Sequence, residues 1–192
     1  MELKLLHMVT ADPLRTPTFV MFGDPDYFFQ TFGADVVVNP GFAWNHGGVS
    51  PDINVTWLGM VGPGVDLAGV DSATWSDHTD IRPTILSLVG LTDEYQHEGR
   101  ALTEKFSGWA IPSAVRKSAY FVPLAQAFKQ INAPLGALGM ASLQASTAAL
   151  ESRDPGDSTY NFVEGQLASF TVQRDALDAQ ILPLKFLGEQ SG

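Results

Sequence analysis

One histidine, His46, sits between Trp44-Asn45 and Gly47-Gly48. Glycines on that side leave an imidazole nitrogen open to a metal ion. A zinc site takes about four donors, so one imidazole needs companions. Asp52, after Pro51 just downstream, would orient His46 through its second ring nitrogen, or would simply close the loop. A second cluster, Asp77-His78-Thr79-Asp80, reads either as a metal site or as the start of a helix. The helix reading is preferred: Asp80 and Thr79 would cap free N–H groups and complement the dipole, with His78 in the approach loop. Asp24 and Asp26 flank Pro25. Paired carboxylates suit acid–base work, but here they read first as turn residues bonding to nearby N–H groups. His7 and His97 have no legible partner. Gly62-Pro63-Gly64 lacks the spacing and the lysine of a phosphate-binding loop. It reads as a turn that brings two stretches of backbone close.

These residues need elements to position them. The chain has 192 residues, 45% of them hydrophobic and 17% charged, enough for one sizeable core and too apolar for disorder. Thr18 to Phe22 is β-branched and aromatic and predicts a buried strand. Tyr27 to Gln30 reads as a second short strand or a continuation of the first, Val36 to Val38 as a further one, and Ile53 to Val61 as another, stopped by Gly62. Asp80 to Gly90 has the order of a helix: cap, Pro83 in the first turn, apolar body, and Gly90 as the left-handed stop. Beyond about residue 110 helical spacing takes over, in 118–132, 136–152 and 157–187. Pro134 and Asp154-Pro155-Gly156 mark the turns between them. Val163, Leu167, Phe170, Leu177, Ile181 and Leu184 form a packing seam, and Pro183 should kink or end its helix. The expectation is an α/β fold, a partial mixed sheet with flanking helices over 1–110, followed by a helical hairpin or bundle over 111–192.

Net charge of −10 opposes nucleic-acid binding through a basic surface. No apolar run is long enough to span a membrane. The absence of cysteine excludes disulfides, thiolate metal sites and thiol nucleophiles without identifying a compartment.

Five pieces in order carry a resemblance: Phe22-Gly23-Asp24-Pro25-Asp26-Tyr27, His46-Gly47, Gly62-Pro63-Gly64, Asp80-Ile81-Arg82-Pro83-Thr84 with Gly90-Leu91, and Gly99-Arg100-Ala101-Leu102. Over residues 18–104 they resemble the C-terminal part of the alkaline phosphatase superfamily, on its type I phosphodiesterase and nucleotide pyrophosphatase branch. The resemblance implies hydrolysis of a phosphate mono- or diester by two divalent metal ions, zinc in many members, with His46 as a ligand of one. It also implies an earlier region with the nucleophile, an Asp-x-x-x-His pair and an Asp-His-Gly, none of which occurs here. The chain then reads as a C-terminal fragment, inactive alone, inclined to self-associate or to pair with the missing N-terminal part. The alternatives are a non-catalytic helical interaction or oligomerisation module, and a complete hydrolase rebuilt around His46, Asp77, His78 and Asp80. The helical tail, with Ala-Phe-Lys-Gln-Ile-Asn-Ala-Pro at 127–134, resembles an extension of bacterial members.

Overall fold

The computed structural model describes residues 2–24, 27 and 48–191. Its α-helices are α1 Glu2–Leu5, α2 Pro51–Asn54, α3 Ile81–Val89, α4 Ser113–Arg116, α5 Phe121–Asn132, α6 Ala137–Glu151 and α7 Ser158–Glu189. Short 3-10 turns join them. Two compact units are distinguishable: residues 1–16 with 60–192, and residues 17–59.

The expected mixed sheet is not there. Among the described residues there is no strand, and the only bridge is an isolated antiparallel one between Val65 and Phe106. Residues 18–22 are irregular and, except for half-buried Phe22, exposed, with Phe19 and Met21 open to solvent. Residues 53–61 begin as the end of α2 and continue as irregular chain, without a pairing partner among the described residues. Asn54 instead holds α2 by donating from Nδ2 to the carbonyls of Gly48 and Ser50, at 3.0 and 3.1 Å. A strand is not a local structure: its N–H and C=O groups need a neighbouring strand. β-Propensity marks a stretch that would fit a sheet without providing one. The run at 36–38 and most of that at 27–30 lie outside the described residues.

Helices α3, α5, α6 and α7 follow their sequence signals closely, whereas α1, α2 and α4 had none. α5, α6 and α7 fall inside the three expected helical stretches within a few residues. α5, α6 and α7 pack on one another, α4 packs on α7 and α1 on α6. α6 turns small residues inward: Gly139, Ser142, Ser146 and Ala149 are buried at spacings of three and four, letting its neighbours approach closely. At the α5–α6 corner a side chain on Gly139 would run into the Pro134 carbonyl at 2.3 Å. α3 closes on Gly90, at φ 68° and ψ 28°, whose N–H reaches Leu86 O while the Leu91 N–H bonds Leu86 O at 3.0 Å. Pro183 neither ends nor splits α7, which runs through it to Glu189.

Candidate functional site

A buried polar cluster of the first unit lies where the α3 N-terminus, segment 97–103, α5 and the end of α7 meet. Asp77 starts it. Its carboxylate accepts from the Thr79 N–H at 2.9 Å, and Asp80 Oδ2 accepts from the Asp77 N–H at 3.1 Å, a reciprocal capping box around the 3-10 turn His78–Asp80. Asp80 is fully buried and serves a second strand of chain as well: Oδ1 accepts from the Arg100 N–H at 2.9 Å. Thr84, one turn into α3, accepts from the Leu102 N–H at 3.0 Å and donates to Asp80 O at 2.6 Å. From the far side Glu189 Oε1 accepts from the Ala101 N–H at 2.8 Å, and Lys185 Nζ donates to the carbonyls of Gly99 at 2.6 Å and His97 at 3.2 Å. Segment 97–102, buried except at Glu98, thus has no sheet to satisfy its backbone, and four side chains from α7 and the α3 region supply hydrogen bonds to it. Gly99 is obligatory here, because a Cβ would sit 1.9 Å from Thr79 O.

The charges balance locally. Lys129, from the buried face of α5, places its ammonium 3.0 Å from both Asp77 oxygens, 3.0 Å from Asp80 Oδ1 and 2.7 Å from Thr79 Oγ1. Burial raises the Asp77 carboxyl, but the Thr79 hydrogen bonds and the Lys129 charge outweigh it and hold the group below its ordinary value. Arg100 forms a bidentate pair with Glu104 at 2.6 and 2.9 Å. Burial pushes Glu189 up and Lys185 down, against the attraction between them.

A second group stands at the edge of this cluster. His97 Nε2 lies 3.0 Å from Asp93 Oδ2, and Arg82 reaches the same oxygen at 2.6 Å. Burial pulls the His97 pKa below its ordinary value, against the pull of Asp93. His7, in a left-handed backbone conformation at φ 55°, sets Nδ1 2.8 Å from Glu98 Oε2. Both histidines therefore have acidic partners that their sequence surroundings did not disclose. His97 and Asp93 are four residues apart in a loop, and Glu98 is far from His7 in sequence.

Among the expected site residues, His46 and Asp26 lie outside the described residues, as does any pairing of Asp52 with His46. Asp52 itself is exposed in the first turn of α2. Asp24 is exposed, and its carbonyl accepts from the Tyr27 N–H at 3.1 Å, as a turn residue does. His78 is exposed and lines an open groove of about 460 Å³ with Ile81, Arg82, Ile85 and Leu86. It does not join Asp77 and Asp80. Asp77 supplies the cap expected of Asp80, which makes no side-chain cap to α3. Gly62-Pro63-Gly64 does bring backbones together: Ser107 N donates to Gly64 O at 2.8 Å.

Lys129, Arg174, Lys185 and Glu189 were not singled out from the sequence. Their signal was a charge on an inward helical position: Lys129 among Ala125, Phe128 and Asn132 on α5, and Arg174 and Lys185 in register with Leu167 and Thr171 on α7. Such a charge needs a buried counter-charge.

The arrangement is suited to holding backbone, and its carboxylates are neutralised by an ammonium where a metal site would need them free. Among the described residues no three His, Asp or Glu side chains gather so as to hold a metal ion. No helix of the described residues is long and apolar enough to cross a membrane. Comparison with protein-family models, with curated proteins and with solved structures finds no match.

Proposed function

We propose that the chain is a non-catalytic helical interaction module that docks to another chain through apolar faces of α3 and α7. The observation that carries this reading is the apolar surface left open. Ile81, Ile85 and Val89 are exposed along α3, with Leu91 just beyond, and Phe162, Phe170, Leu177, Leu184 and Leu187 along α7. Runs of exposed apolar side chains on one element mark interaction sites. The buried side chains of Asp80, Thr84, Lys129, Lys185 and Glu189, by contrast, are engaged with one another and with backbone. The test is elemental analysis of the purified chain combined with hydrolysis of a chromogenic phosphodiester. The module reading expects neither bound metal nor turnover. Stoichiometric metal together with turnover, both lost in His46→Ala, overturns it.

That result would favour a complete hydrolase rebuilt around His46, Asp77, His78 and Asp80, whereas a second reading, inactive alone and without bound metal, is the C-terminal part of a metal-dependent phosphoesterase of the alkaline phosphatase superfamily, whose intact enzyme acts on phosphate mono- or diesters with two divalent metal ions. What supports it is that pieces of the resemblance hold one another, Asp80 and Thr84 of one accepting from the Arg100 and Leu102 N–H groups of another. The described residues do not fit a metal, since Lys129 occupies the carboxylates of Asp77 and Asp80. No step of phosphate hydrolysis is therefore assigned to them.

A further inference from the structure

α7 carries more apolar surface than its own bundle covers. Its inner face, with Leu167, Thr171, Arg174, Lys185 and Gly188, is buried. A flank beside that face repeats every seven residues. Val163, Phe170, Leu177 and Leu184 take one position of the heptad, and Gln166, Gln173, Gln180 and Leu187 the position three residues on. That is the a/d spacing of a two-stranded coiled coil. Phe170 and Leu177 are each 49% exposed, Leu184 62%, Leu187 67%, and Phe162 on the same flank 67%.

We infer that this flank pairs with the same flank of a second copy of the chain, as a parallel, in-register two-helix seam. The inference rests on the interaction-module reading and names its partner. Three properties select a second copy. The first is charge. Each copy carries −10, so two copies repel wherever their acidic surfaces meet, yet none of the eight heptad positions is charged. The acids Glu164 and Asp175 fall on the opposite flank at 3.6 residues per turn. The second is hydrogen-bond chemistry. A glutamine amide carries both donor and acceptor, so across a two-fold axis Gln166, Gln173 and Gln180 each face their own copy and satisfy it. Gln180 already donates once to Ala176 O at 3.0 Å, which leaves its other N–H and its carbonyl oxygen for the pair. Antiparallel pairing would set these amides against Phe170, Leu177 and Leu184 instead. Polar groups at such positions fix register and orientation. The third is area. Val163 to Leu187 rises roughly 36 Å along the helix. Four half-open phenylalanines and six leucines from two copies cover on the order of 1,000 Å², the threshold for a specific interface.

The chain contains no cysteine, so single introduced cysteines report the geometry. Gln173→Cys and Gln180→Cys, oxidised mildly in the full chain, should each form a disulfide-linked dimer. Val172→Cys, 70% exposed on another side of α7, should not. Sedimentation should give the unaltered chain twice the monomer mass, and Leu177→Glu should return it to monomer with unchanged helicity. A monomeric unaltered chain at micromolar concentration overturns the inference, as does equal cross-linking at positions 172 and 173. If Leu177→Glu fails to fold, the cysteine comparison decides alone. A monomer without metal or turnover removes self-pairing and leaves the module reading in place. Turnover with bound metal removes that reading itself.

Discussion

Lys129 does the most with a single charge. Its ammonium is almost fully buried and touches Asp77, Asp80 and Thr79 at once, with the Trp75 ring 5.8 Å away. Burying a charge is costly unless it is paired, and removing one partner strands the other. Asp77 keeps some access to water, whereas Asp80 has none. Lys129→Met should therefore destabilise the fold by about 3 kcal/mol, chiefly through Asp80, read as a lower midpoint in urea at unchanged slope. The same substitution should loosen segment 97–102, because Asp80 is also the acceptor for the Arg100 N–H. Hydrogen exchange at Arg100 reports this directly. An Arg100 amide as protected as in the unaltered chain would separate the two roles of Asp80.

α7 is the element on which the others assemble, and its amino-acid choices conflict with a plain helix. Pro183 sits inside it without breaking it. The ring removes one i→i−4 hydrogen bond and crowds the carbonyl of Ala179. The helix persists because its last turns are anchored from the side. Lys185 bonds the Gly99 and His97 carbonyls, Glu189 takes the Ala101 N–H, and Ser87 Oγ donates to Glu189 O at 3.2 Å. Gly188 makes room for Phe121, whose ring would lie 2.2 Å from an added Cβ. Tertiary contacts thus outweigh a local penalty of about 3 kcal/mol. Pro183→Ala should recover most of it, less about 1 kcal/mol for the greater freedom of the unfolded chain. A thermal midpoint that rises, followed by far-ultraviolet circular dichroism, is the expected outcome; a fall would mean that the proline itself is needed for the α7 anchors to meet segment 97–102.

Over the whole molecule, protonation works mainly in one direction. The His97 pKa lies below its ordinary 6.5 because the ring is buried. The unfolded chain then takes up a proton that the folded chain refuses, so stability falls as pH drops below about 6.5. Glu98, through its His7 hydrogen bond, is held below the ordinary 4.5, as is Glu104, where the Arg100 pair outweighs burial; Asp77 is held below 3.8. Their contribution is present above those values and is lost as pH falls through the lower folded values. Glu189, raised by burial from 4.5, works in the opposite sense above that value. Thermal midpoints should therefore decline in two stages on acidification, the first below about 6.5 and the second in the carboxylate range. His97→Gln should abolish the first stage and keep the second. A first stage that survives the substitution would point to another titrating group.

Residue order alone determined the helical half of this protein. α5, α6 and α7 lie where apolar spacing put them, their turns fall at Pro134 and Pro155-Gly156, and α3 stops on Gly90, because helix hydrogen bonds close within a few residues and caps are local. Four-residue memory is enough for such elements. It is not enough for a strand, so the apolar runs at 18–22 and 53–61 read as sheet, while among the described residues neither finds a strand to pair with. The seam at 163–184 was visible as a period, but only packing divided it, turning Leu167 inward and leaving Phe170, Leu177 and Leu184 outside. Tertiary structure also decided the partners of Lys129, Lys185, Glu189, His7 and His97. A charge on an inward helical position announces that partners exist, but those partners lie up to some ninety residues away (the Ala101 N–H on Glu189, the Gly99 carbonyl on Lys185), and one-dimensional spacing carries no record of that distance.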